Sequence, residues 1–87
     1  MRYLHLGENQ ILPLHEVIGI INAEEKILPD TADFIDKAEA DKSFHVIRSD
    51  LKTKSVVIAE NGVYESPISS VTLYKRAMER SWEEKNE

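Results

Sequence analysis

Ser55-Val56-Val57-Ile58-Ala59-Glu60-Asn61-Gly62-Val63-Tyr64-Glu65-Ser66 is the stretch that decides the fold. Two runs rich in β-branched and aromatic residues flank an Asn-Gly pair, which favours positive φ at both central positions of a tight turn. The reading is an antiparallel hairpin turning at Asn61-Gly62. Just downstream, Pro67 stops the second arm, because proline brings no amide hydrogen to a sheet ladder. Ser69 or Ser70 then offers a hydroxyl to the free amides of a helix running from about Val71 to Glu83. Along that helix Val71, Tyr74, Met78 and Trp82 recur at helical spacing and form an apolar stripe.

Upstream of the hairpin the pattern changes three times. Tyr3-Leu4-His5-Leu6-Gly7 alternates polar and apolar residues and ends on glycine, a strand signature. A second extended stretch runs from Gln10 to Asn22, broken by a corner at Pro13, with strand proper from Glu16. Its centre, Val17-Ile18-Gly19-Ile20-Ile21, is apolar on both faces and predicts a strand covered on both sides. From Thr31 to about Asp41 a helix is expected, capped by Asp30 or Thr31, with Thr31, Phe34, Ile35 and Ala38 on its inner face. Phe44-His45-Val46-Ile47 reads as a third strand, and Arg48 to Ser55 as a polar loop. The expected class is α+β: a small mixed or antiparallel sheet with the central hairpin, one short helix and a C-terminal helix.

Size and composition bound the rest. A chain of 87 residues and 10.0 kDa makes one domain and buries roughly 60–65% of its unfolded surface. The expected organisation is a single domain over residues 1–80 and a polar tail over 81–87. Leu, Ile, Val and Phe exceed a quarter of the residues, above the level of disordered chains. No apolar run is long enough for a membrane span or a signal-peptide core, so the expected location is cytoplasmic, without membrane contact. With no cysteine there are no disulfides, thiolate metal sites or cysteine nucleophiles.

The net charge of −5 is unevenly distributed. Residues 1–41 hold three basic residues against nine acidic, whereas residues 42–80 hold seven against four. An acidic whole does not suit a broad basic nucleic-acid face; binding to DNA would need a local patch, repeated by self-association.

Residues able to carry chemistry are sparse. His5, His15 and His45 stand on separate elements without the close spacing of a metal site. Ser69 and Ser70 are explained by helix capping, and there is no glycine-flanked nucleophile and no Gly-rich phosphate loop. The expectation is a protein that is not an enzyme, with no cofactor, metal or small-molecule substrate. The loop Arg48-Ser49-Asp50-Leu51-Lys52-Thr53-Lys54-Ser55 sets three cations within seven residues, with Lys52 and Lys54 on one side of an extended segment. Such a loop can contact phosphates, or it can keep a sheet edge soluble; on charge alone the second is the commoner. The stripe through Tyr74, Met78 and Trp82 can pack on the domain's own sheet or form a subunit interface.

Three segments together resemble the RemA/RemB family of small bacterial regulatory proteins, closer to its RemB branch. They are Tyr3-Leu4-His5-Leu6-Gly7 with Ile11-Leu12, then Val17-Ile18-Gly19-Ile20, then Ser55-Val56-Val57-Ile58 leading to Tyr64-Glu65-Ser66-Pro67-Ile68-Ser69-Ser70-Val71-Thr72-Leu73. The last, followed by Lys75-Arg76, is the most specific. The match extends to about residue 76. It implies a cytoplasmic bacterial protein connected with transcriptional regulation of extracellular-matrix or biofilm genes. For the RemA branch it implies direct DNA binding by a LytTR-like fold, with subunits assembled in rings that present basic residues repeatedly. Lys52 and Lys54 hold two positions of that branch's basic cluster, while Leu51 and Glu16 stand where basic residues are expected. The expected DNA-contacting residues are Lys52, Lys54 and Arg48. The expected assembly is a homo-oligomer, a ring being one form, with Tyr74, Met78 or Trp82 at a subunit contact. The alternative is a non-catalytic oligomeric scaffold without DNA contact.

Overall fold

The computed structural model describes residues 2–41 and 43–78. Its strands are β1 (Tyr3–Gly7), β2 (Gln10–Pro13), β3 (Val17–Asn22), β4 (Phe44–Val46), β5 (Ser55–Ala59) and β6 (Gly62–Ser66). Its helices are α1 (Pro29–Ala40) and α2 (Ser70–Met78), and one 3-10 turn, Leu14–Glu16, links β2 to β3. The class is mixed α+β, as the sequence implies, but the strands form two sheets. β1 and β2 make an antiparallel hairpin of their own. The other four lie in the order β3-β5-β6-β4, with β4 parallel to β6 and the remaining pairs antiparallel.

Alternation along β5 and β6 organises the core. Val56 and Val63 point to one face and pack with Ile35 and Ala38 of α1. Val57, Ala59 and Tyr64 point to the other and pack with Leu4, Leu6 and Leu12 of the β1–β2 hairpin and Leu73 of α2. The central hairpin thus lies between two covering layers, which is why its strands are buried almost throughout.

Several expectations are corrected. The tight turn is Glu60-Asn61, not Asn61-Gly62: Ala59 pairs with Gly62, which is already the first residue of β6. Asn61 does not take positive φ. The glycine answers instead to the backbone of the segment before β4, since Val63 N–H donates to Ser43 O at 2.7 Å directly against it. β3 is not covered on both sides. It is an edge strand with a register shift between Val17 and Gly19, and Ile18 is 68% exposed. Strand geometry begins at Val17 rather than Glu16, because the chain turns through a 3-10 step after Pro13.

Neither Asp30 nor Thr31 caps α1. The helix begins at Pro29, the cap position is Leu28, and no side chain closes it. Proline at the first position supplies a fixed φ and removes one of the amides needing a partner. Phe34 lies at the margin of the buried face and is half exposed, while Ile35 and Ala38 are buried. α2 is capped by Ser69, whose Oγ accepts from Thr72 N–H at 3.3 Å. Its buried residues are Ser70 and Leu73, with Ala77 packed against the core. Val71, Tyr74 and Met78 therefore face outward, Met78 at 74% exposure. Trp82, the helix end expected near Glu83 and the tail over 81–87 lie outside the described residues.

Candidate nucleic-acid interface

The loop between β4 and β5 is anchored at its C-terminal end. Lys54 N–H donates to Ser66 O at 2.9 Å, and Ala23 N–H donates to Lys54 O at 3.0 Å. The backbone of Lys54 is thereby held between the ends of β3 and β6, continuing the Asn22–Ser55–Ser66 rung of the sheet. Thr53 is half-buried and its Oγ1 donates to Glu65 Oε1 at 3.3 Å. Lys52 and Lys54, on either side of Thr53, are both exposed. Among the described residues no ion pair engages either ammonium.

Arg48 has a different setting. Its Nε donates to Asp50 Oδ1 at 2.7 Å, its second terminal nitrogen to Asp50 Oδ2, and its first to Glu8 Oε1. Hydrogen bonding to Asp50 and then to Glu8 holds the guanidinium above the usual arginine range. The same bond to Arg48 holds the Asp50 carboxyl below the usual aspartate range. One cation against two carboxylates leaves this cluster with a net charge of −1. Lys52 and Lys54 are thus both exposed, whereas Arg48 is committed to a tether between its own loop and the β1–β2 turn. Glu8 lies 40 positions before Arg48, and nothing in local sequence pattern signals that pairing.

The string that carries the family resemblance has a structural role. Ser66 Oγ donates to Leu6 O at 2.6 Å and accepts from Ile68 N–H at 3.1 Å. Ser55 Oγ donates to Ile68 O at 2.7 Å. With the Ser69 cap, these bonds fasten β1, β5, β6 and the start of α2 into one unit. At the other end of α2, Arg76 donates to His5 O at 3.1 Å and Arg2 to Ala77 O at 2.9 Å. Tyr74 hydroxyl donates to Ile20 O at 3.0 Å. His45 stacks on Tyr64 with ring centroids 4.7 Å apart. Among the described residues no three His, Asp or Glu side chains are grouped to hold a metal ion, and no helix is long and apolar enough to cross a membrane.

No protein-family model matches the chain. It is 33% identical over 76 residues to extracellular matrix regulatory protein B of Bacillus subtilis (strain 168), a match spanning 86% of this chain and 89% of that protein. The chain belongs to the RemB-like family. In this RemB-like chain the segments quoted for the resemblance lie on β1, β2, β3, β5 and β6 and at the Ser66–Ser69 junction.

Proposed function

We propose that the chain is a non-catalytic, DNA-associated transcriptional regulator of extracellular-matrix or biofilm genes, acting in the cytoplasm of a bacterium as a homo-oligomer. The observation that carries this reading is near full-length likeness to a protein named for extracellular-matrix regulation. The exposed, backbone-anchored pair Lys52 and Lys54 supports phosphate contact. Repetition of a weak patch on one particle raises its effective concentration at DNA, which reconciles two lysines per subunit with a net charge of −5. Ring closure is one form such an assembly can take.

Engagement of Arg48 by Glu8 and Asp50 favours a second reading, an oligomeric scaffold without DNA contact. A gel-shift series with AT-rich duplex DNA at rising salt separates the two. The regulator retards DNA at low salt and releases it steeply as salt rises; Lys52→Glu, Lys54→Glu abolishes retardation while the assembly keeps its mass. Absence of retardation by the parent protein at every salt concentration selects the scaffold.

A further inference from the structure

The two helices lie on opposite faces of the four-stranded sheet and toward opposite edges. α1 packs against β4 and β6, on the face of Val56 and Val63. α2 packs against β1 and β3, on the face of Val57 and Tyr64. Each also presents apolar surface outward. At the start of α1, Leu28 is exposed and Phe34 is half exposed. On α2, Val71, Tyr74 and Met78 line an open hollow of about 560 Å³ together with Lys75. Val71, Tyr74 and Met78 are spaced three and four residues apart and lie side by side on one face of α2, and a contiguous exposed apolar face marks a contact surface; on α1 Phe34 is the large apolar side chain exposed within the helix.

The rims of the two patches have opposite sign. Asp30 stands one helical turn before Phe34 and Asp33 beside it; Lys37 follows a turn later and Asp41 ends the helix. Over residues 24–41 seven carboxylates face two lysines. On α2, Lys75 lies within the patch, between the turns of Val71 and Met78, and among residues 70–78 there is no carboxylate. Face-to-face pairing of two α2 helices would set Lys75 against Lys75, and pairing of two α1 helices would oppose carboxylates. Of these helix pairings, α1 against α2 is the one that joins apolar side chains with opposite charges around them.

Within one chain the two patches cannot meet, because the sheet lies between them. We propose that the α2 patch (Val71, Tyr74, Lys75, Met78) of one copy docks on the acidic α1 patch (Phe34, Asp30, Asp33) of the next. The proposal rests on the self-assembly proposed above and names its surfaces. Such a contact is heterologous: every subunit gives one surface and receives the other, so the assembly closes as a ring or extends as a filament. Lys52 and Lys54 belong to neither patch.

The test is charge exchange in solution, read by sedimentation velocity. Lys75→Glu alone and Asp30→Lys, Asp33→Lys together alter only exposed positions, and retained far-UV circular dichroism checks their folding. Each variant alone is expected to sediment as a monomer at a concentration where the parent assembles. An equimolar mixture is expected to regain assemblies, because the acidic α2 patch of one variant fits the basic α1 patch of the other. A parent that sediments as a 10.0 kDa monomer overturns the self-assembly reading itself. A parent that assembles, with variants that assemble equally well, overturns only these surfaces. Variants that dissociate without recovery on mixing overturn the α1-to-α2 pairing.

Discussion

At Gly62 a β-carbon would lie 2.4 Å from the Ser43 carbonyl oxygen, so the residue is small because another segment's backbone crosses there. Gly62→Ala is expected to destabilise by about 1–3 kcal/mol through forced backbone movement, and Gly62→Val by more. Gly19 is the contrast, since a β-carbon there meets no atom within 4 Å. Gly19→Ala is expected to be neutral or to stabilise by up to about 1 kcal/mol, from the glycine's own chain entropy. Urea denaturation of the three variants checks both, and equal costs at the two sites would refute the distinction. Electrostatics makes a separate prediction at Asp50. Its folded-state pKa is depressed by Arg48, so the tether is complete above the ordinary aspartate range and is lost as pH falls through the lowered value. Carboxyl-detected NMR should place its midpoint below the ordinary aspartate value, and Arg48→Gln should return it there. An unshifted parent midpoint would remove the tether.

Between elements, the hydroxyls of Ser55, Ser66 and Ser69 are the fasteners. Ser66→Ala leaves the buried Leu6 carbonyl without its donor and the Ile68 amide without its acceptor, and is expected to cost about 1–3 kcal/mol. Ser69→Ala removes an exposed cap and is expected to cost about 1 kcal/mol. Thermal melts that reverse this order would show that the junction is not held as described. Most elements were legible in the sequence: the hairpin, α1, α2 and the break at Pro13 each announce themselves through periodicity, glycine or proline. What was not legible depended on neighbours distant in the chain. The turn shifted by one residue because Ser43 crosses at Gly62. β3, apolar from Val17 to Ile21, took an edge because β5 pairs with β6 on its other side. On α2, Val71, Tyr74 and Met78 are exposed while Leu73 is buried and Ala77 packs against the core, a choice of face that depends on the β1–β2 hairpin beneath it.

For the whole molecule, the candidate site shows the same division. The Lys52-Thr53-Lys54 spacing is local and visible in the sequence, whereas the pairing of Arg48 with Glu8 is a product of the β1–β2 turn folding against the β4–β5 loop. Under the proposed function, DNA contact rests on two lysines per subunit and on repetition of that pair. Counterion release gives this a number: the slope of log K against log [salt] is about −0.9 for each phosphate neutralised on duplex DNA. The most direct measurement is fluorescence anisotropy of a labelled AT-rich duplex titrated with the parent and with Lys52→Gln, Lys54→Gln across a salt series. The parent is expected to show a steep negative slope that the double substitution makes shallower by about 2 for each subunit in contact, with sedimentation unchanged. A parent that does not bind, or a slope indifferent to the two lysines, would contradict this reading.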